Sequence, residues 1–293
     1  MEENNEYSYE ERIMSGKLYL VGTPIGNLKD ITLRALDTLK ECDIVAAEDT
    51  RQTLKLLNYF SIKKAMISYH KFNENDKSNE IIDLLLQDKN IALVSDAGMP
   101  GISDPGSVVI KKCIENNIPF EVIPGATALI TALIYSGIDS NKFIFRGFLP
   151  RENKDKKRLL EEIKNYRETI IIYEAPHRLK KTMEIIMDVL GNRNIAICRE
   201  LTKLHEEIYR GSIEKAIEYY DEKQPRGEYV LIISGKSDED IERENKNKWD
   251  SLTIEDHILS YMNKGFTKKE AIKLTAKERC IPKSEVYKYS LKI

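Results

Sequence analysis

In residues 16–123, short apolar runs alternate with amphipathic stretches. Leu18-Tyr19-Leu20-Val21, Ile44-Val45-Ala46-Ala47 and Ile91-Ala92-Leu93-Val94 are continuous apolar runs, the pattern of short strands covered on both faces. The segments 32–41, 50–59 and 76–88 between them are amphipathic at helical spacing. Phe120-Glu121-Val122-Ile123 closes the block. Such a succession predicts a mostly parallel sheet with helices on its faces.

A second block holds strand-like runs at 142–148, 169–173, 195–198, 206–210 and 229–233, interleaved with helical segments. Several of these pair naturally as sequence neighbours, so a mixed sheet is expected. Pro124-Gly125 punctuates the junction between the blocks. Beyond Gly235 the pattern breaks, and 236–248 is almost entirely charged or amide residues, as in a linker. Three short helices are expected after it, at 253–263, 267–279 and 282–291. Thr267-Lys268-Lys269-Glu270 fits a capping box ahead of the second, and Pro282 fits the first turn of the third. The organisation expected is a disordered leader over 1–15, α/β domains over 16–123 and 124–235, a charged linker over 236–250 and a basic helical appendage over 251–293.

A chain of 293 residues with 41% hydrophobic content is long enough for two cores. Its 46 basic residues nearly balance 48 acidic ones, so no global field draws it onto nucleic acid, and any RNA affinity must be local. Residues 264–293 supply one candidate, with nine basic and three acidic residues and with Phe266, Tyr287 and Tyr289 set among the lysines. Lys268 and Lys269 are its candidate phosphate contacts, although the aromatics fit the core of three packed helices equally well. Residues 151–158, with five basic and two acidic side chains, are a second candidate, although a solvated face is the default reading of such a run. Cys42, Cys113, Cys198 and Cys280 are scattered without metal-ligand spacing, so reduced thiols and no metal are expected. The first fifteen residues carry five glutamates and one arginine, unlike a signal or transit peptide. The longest apolar stretch, 126–135, is too short to cross a bilayer. A cytoplasmic protein is expected.

Chemistry concentrates where the strands end. Gly22-Thr23-Pro24-Ile25-Gly26-Asn27 follows the first strand, where open α/β sheets bind ligands, but it is neither a dinucleotide fingerprint nor a P-loop. By itself it reads as a tight turn. Residues 95–106, SDAGMPGISDPG, hold three glycines, two prolines and two aspartates. That loop is longer and stiffer than a plain strand-to-helix connection, which favours ligand binding. Asp96 there suits ribose hydroxyls or a cationic ligand. Ile123-Pro124-Gly125-Ala126-Thr127-Ala128 again runs strand to loop to helix, and small residues at a helix start leave N–H groups free to face a ligand. A closely packed hinge accounts for it equally well.

In this order and spacing, GTPIGN, SDAGMPGISDPG, VIPGATAL, YEAPHR, RELTKLHEE and RGEYVLI resemble the tetrapyrrole-methylase family. More closely, they resemble its ribosomal RNA branch, which methylates the 2′-hydroxyl of a cytidine in 16S rRNA of the small ribosomal subunit. The resemblance covers roughly residues 16–235. It implies a homodimer of two-domain α/β subunits with S-adenosylmethionine in the cleft between the domains. It further implies a donor pocket lined by Pro24, Ile25, Asp96, Gly98, Met99, Thr127 and Ala128, with Glu228 and Tyr229 flanking the adenosine.

The second block adds polar groups at two strand ends, Tyr173-Glu174-Ala175-Pro176-His177-Arg178 and residues 199–207, RELTKLHEE. If those strands run parallel, both clusters lie on one rim. Glu174, Glu200 and His205 are candidate bases, while Arg178, Arg199 and Lys203 are candidates for phosphate or alkoxide contact. His177 alone reads better as a structural hydrogen-bonder, though it stands beside Arg178 as a substrate contact. Two rival functions share the motifs: methylation of a small tetrapyrrole, and a non-catalytic ribosome-binding protein that keeps the pocket.

Overall fold

The structure, a computed structural model, describes residues 15–240, 252–279, 281–291 and 293. Two five-stranded sheets follow one another along the chain. The first comprises β1 (Leu18–Val21), β2 (Ile44–Ala47), β3 (Ala65–Ser68), β4 (Ile91–Val94) and β5 (Phe120–Ile123). Its strands are all parallel, in the order β3-β2-β4-β1-β5. Helices α1 (Leu33–Glu41), α2 (Thr50–Tyr59), α3 (Glu74–Leu86) and α4 (Ser107–Glu115) connect them. The two-residue period of the strands sorts their side chains between two cores. Leu18, Leu20, Ile91 and Leu93 pack on one face with Ile81 and Leu85 of α3, and Val21, Val45, Ala92 and Val94 pack on the other with Leu39 of α1.

The second sheet comprises β6 (Phe143–Phe148), β7 (Thr169–Glu174), β8 (Asn194–Arg199), β9 (Glu207–Ser212) and β10 (Tyr229–Ile233), ordered β6-β7-β10-β8-β9. It is mixed: β6 and β7 are parallel, and the other pairs are antiparallel. One face carries Ile170, Ile172, Ile195, Ile197, Leu231 and Ile233. Packed on it are α6 (Asn153–Ile163), α7 (Leu179–Leu190) and α8 (Ile213–Asp221), through residues such as Leu160, Met183 and Ala216. The opposite face buries Ile171, Ala196, Cys198, Val230 and Ile232 against Ala132 and Leu133 of α5 (Ala128–Ser136). Ile25, from the loop after β1, joins that same cluster. The first unit therefore reaches across and seats one apolar side chain in the core of the second.

The C-terminal helices are α9 (Ile254–Asn263), α10 (Lys268–Glu278) and α11 (Lys283–Ser290). The capping box at Thr267 and Glu270 is formed in both directions. Their small core is Ile258, Ala271, Ala276 and Val286. Phe266 and Tyr287 are exposed instead of filling it, as are Lys268 and Lys269 in the first turn of α10. Among the described residues, no helix is long and apolar enough to cross a membrane. Cys42, Cys113 and Cys198 are free and buried; Cys280, residues 1–14 of the expected leader and residues 241–250 of the expected linker lie outside the described residues.

Candidate active site

Loops from the C-terminal edge of the first sheet face the second sheet across a cavity of about 300 Å³, at the lower end of the ~300–1,000 Å³ range of sites that enclose small ligands. Its near wall is set by contact of backbone on backbone. Gly22, after β1, and Gly125, after β5, lie so close that a Cβ on Gly22 would come within 2.8 Å of the Gly125 N and Cα. Thr23 and Gly98 form an antiparallel bridge, with N–H to O distances of 2.8 and 3.1 Å. Gly22 thus serves to pack one loop on another. This arrangement leaves Pro24 outside the lining and turns its neighbour Ile25 into it, together with Gly98 and Met99. Thr127, Ala128 and Leu129, at the start of α5, form the next wall, and Cys198, Tyr229 and Val230 close the far one.

Six carboxyl groups line the cavity: Glu48, Asp96, Asp104, Glu174, Glu200 and Glu228. Asp96 Oδ1 accepts the Asp49 N–H at 3.0 Å, which ties the β4 loop to the turn after β2. Burial and then the Asp96 charge raise Glu48; burial is also the chief cause that raises Asp96. Burial, reinforced by Glu48, Asp96 and Glu228, pushes Asp104 up to about 7. Glu48 and Asp104 were not singled out in the sequence. Both were findable, Glu48 because it follows β2 at the edge where the other loops emerge, Asp104 because it lies inside the long glycine loop.

The raised Asp104 has a measurable consequence. Its folded value lies above the ordinary 3.8, so its contribution to stability is complete below about pH 4 and is lost as pH rises to about 7. Asp104→Asn removes that loss. Discounted for the water that reaches a half-buried carboxyl, the ligand-free variant should gain roughly 2 kcal/mol over the parent at pH 8, or roughly 4–8 °C in Tm, and little at pH 4.5. Thermal unfolding at both pH values checks this, and a pH-independent difference between the two proteins would refute it.

β7 and β8 both run antiparallel to the β10 between them and are therefore parallel to each other, with Tyr229 in register between Glu174 and Arg199. The two polar clusters do share a rim, yet only part of each reaches the cavity. After β8 the chain turns through Glu200 and Thr202, both at positive φ (50° and 65°). Glu200 Oε1 accepts the Glu228 N–H at 2.9 Å and Lys203 Nζ at 3.1 Å, and Lys203 Nζ also reaches Glu228 Oε2 at 3.2 Å. Burial would raise Glu200, but the Glu228 amide and Lys203 outweigh it and hold the carboxyl down. Burial would lower Lys203, but Glu200 and Glu228 outweigh it and hold the ammonium up. Lys203 is thus a fixed cation at neutral pH and Glu200 a weak base. Among the described residues, Lys203 is the only basic side chain in the lining.

The remaining candidates are engaged elsewhere. Arg199 stays outside the lining because its Nη1 pairs with Glu207 at 3.2 Å and its Nε donates to the Arg226 carbonyl at 2.7 Å. His205 is exposed beyond the lining, on the turn that follows Lys203, and His177 is exposed in a short 3-10 turn. Arg178 is no free phosphate contact: its Nη2 donates to the carbonyls of Leu149 (2.6 Å) and Pro150 (3.0 Å), and its Nε lies 3.0 Å from Glu174 Oε1. Buried Glu174 also accepts the Thr182 hydroxyl at 2.6 Å and the Ala175 N–H at 2.9 Å, while buried Lys156 donates to Thr182 at 2.7 Å. Glu174 lines the cavity but anchors a buried network, which makes it structural. In the 151–158 run, Lys157 pairs with Asp188 and Arg158 with Asp155, consistent with a face whose charges are internally matched.

The fold and cavity define an α/β protein of two sheets with a cavity of small-ligand size between them. Solved structures share this architecture. The methyltransferase CobJ aligns with a TM-score of 0.58 at 15% identity, covering 75% of this chain and 95% of that one. Uroporphyrin-III C-methyl transferase from Thermus thermophilus, complexed with S-adenyl homocysteine, aligns at 0.54 and 18%, covering 75% and 97%. The sequence profile of the tetrapyrrole (corrin/porphyrin) methylases matches residues 17–217, and the chain belongs to that family. Relatives named ribosomal RNA small subunit methyltransferase I are similar over more of it. The Bacillus subtilis protein is 49% identical over 282 residues, 96% of each chain. The Synechocystis protein is 45% identical over 279 residues, 95% of this chain and 98% of that one. The Thermotoga maritima protein is 47% identical over 221 residues, 75% of this chain but 99% of its own, so it has no counterpart for about a quarter of this chain.

Proposed function

We propose that this chain is a cytoplasmic S-adenosylmethionine-dependent methyltransferase that acts on 16S rRNA of the small ribosomal subunit, at the 2′-hydroxyl of a cytidine. The observation that carries the reading is the charge pattern of the cavity, where several carboxylates face one fixed ammonium, Lys203. S-adenosylmethionine, when bound, supplies an electrophilic methyl group on a cationic sulfonium. Ile25, Met99, Thr127, Ala128 and Tyr229 would hold it, and Glu48 and Asp96 suit its positive charge. The lining fits: Gly98 stands at φ +84°, a conformation that favours glycine, so backbone and no side chain faces the cavity there.

A ribose hydroxyl is a weak nucleophile and needs help at its oxygen. Asp104, close to neutrality, is the lining carboxyl suited to take the hydroxyl proton. Lys203 offsets the negative charge that develops on the oxygen, and Glu200 and Glu228 keep it charged and in place. The exposed Lys268 and Lys269 suit phosphate contact, which would weaken steeply with salt. A homodimer is supported by the edge strand β5, which turns Phe120 and Val122 outward.

Tritium transfer from labelled S-adenosylmethionine to small subunits lacking the modification, followed by nuclease mapping, tests the proposal. Label in one ribose-methylated cytidine is expected. Donor binding with no label in rRNA would refute it. Label entering a tetrapyrrole would establish the small-molecule alternative, and binding without any transfer would indicate a non-catalytic role.

A further inference from the structure

The open side of the cavity presents an aromatic ring that the chemistry above leaves unused. Phe148, the last residue of β6, lines the cavity while 56% exposed. Exposure of one ring means little by itself, but three features of the backbone fix this one where it stands. The register of β6 on β7 shifts between Phe145 and Phe148, an irregularity of the kind that re-aims a side chain beside a site. Gly147, just before the ring, has φ +60°, and a Cβ there would lie 3.3 Å from Ser103 Oγ, so the bend is packed against the glycine loop of the first sheet. Just after the ring, the carbonyls of Leu149 and Pro150 are both held by Arg178, which is held in turn by buried Glu174. Tyr173 braces the ring edge to face at 5.6 Å and is itself braced by Phe145 at 4.9 Å.

A cavity of about 300 Å³ is far too small for a folded RNA, so a single nucleotide must leave its stack to present a ribose there. RNA-binding proteins hold such unstacked bases on aromatic faces. We infer that Phe148, braced by Tyr173, is the stacking platform for the unstacked base of the acceptor nucleotide, with Glu174 and Arg178 as its positioning residues. This rests on the methyltransferase reading of the same cavity. The adenine of the donor is the other flat group to be housed. The buried wall of Cys198, Tyr229 and Val230 suits it, whereas Phe148 faces outward, where the RNA arrives.

The test compares the parent with Phe148→Tyr and Phe148→Leu. Single-turnover transfer to unmodified small subunits is measured at saturating donor, and donor affinity by calorimetry. Leucine keeps bulk but lacks a π-face, so Phe148→Leu should lose about ten- to hundredfold in kcat/KM for the subunit, the size of one base–aromatic stack. Phe148→Tyr should stay within about threefold of the parent, with donor Kd within about twofold in both variants. Arg178→Met should raise KM for the subunit and spare kcat, and Arg178→Lys should restore part of the loss. Equal activity of the leucine and tyrosine variants, or a leucine defect lying in donor affinity, would overturn the platform alone. A parent that binds donor but never labels rRNA would overturn the platform and the methyltransferase reading together.

Discussion

Lys203→Met is expected to slow single-turnover methyl transfer by about a hundredfold while leaving donor affinity within about twofold. Loss of one preorganised donor at a developing oxyanion costs about 10²–10³ in rate, and among the described residues the cavity lining offers no second cation. The difficulty is that Lys203 also neutralises Glu200 and Glu228, so its removal leaves two carboxylates facing each other. The double variant Lys203→Met, Glu200→Gln separates the two effects. If repulsion alone slowed the single variant, the double variant would recover most of the rate. If the ammonium acts on the acceptor oxygen, the double variant stays slow. Recovery to within a few fold of the parent would remove Lys203 from the chemistry and leave it a strut between β8 and β10.

Most of the scaffold was legible because its strands are short apolar runs bounded by glycine, proline or charge. β1, β2, β4, β5 and β10 begin and end where the hydrophobic pattern does. β3 was not, since Ala65-Met66-Ile67-Ser68 is an edge strand, partly exposed, and its apolar run is only three residues long. The loops that line the cavity were also readable, through their density of glycine and proline. What failed was the assignment of roles to charged side chains. Glu174, Glu200, Arg199, Lys203 and Arg178 occupy equivalent positions at strand ends, and only geometry tells which of them meet each other and which face the cavity. Arg199 and Arg178 are satisfied by the nearest carbonyl or carboxylate, a competition that sequence spacing does not encode. Gly22 is ambiguous in sequence for a related reason: a glycine at a strand end signals close approach, without saying whether a ligand or another loop comes close.

That distinction supports the second large effect. Gly22→Ala should abolish measurable donor binding, a loss of at least about a hundredfold, although the residue need touch no ligand. The new Cβ would fall 2.8 Å from the Gly125 backbone and 2.6 Å from Met99 Sδ. The methionine can swing aside; the backbone of Gly125 cannot do so without dragging Thr127 and Ala128 and opening the wall they form with Ile25 and Gly98. Overpacking of this kind costs about 1–3 kcal/mol, so Tm should fall by about 3–10 °C. A fall in Tm alone does not discriminate, and Gly191→Ala supplies the control. Gly191 caps α7 at φ +81° with nothing within 4 Å of a new Cβ, so its variant suffers backbone strain of about 1–3 kcal/mol far from the cavity. Both variants should unfold at lower temperature, while only Gly22→Ala loses the donor by calorimetry. If Gly22→Ala binds donor as the parent does, the loops are more compliant than the contact between Gly22 and Gly125 implies, and the cavity wall must be held chiefly by the Thr23–Gly98 bridge.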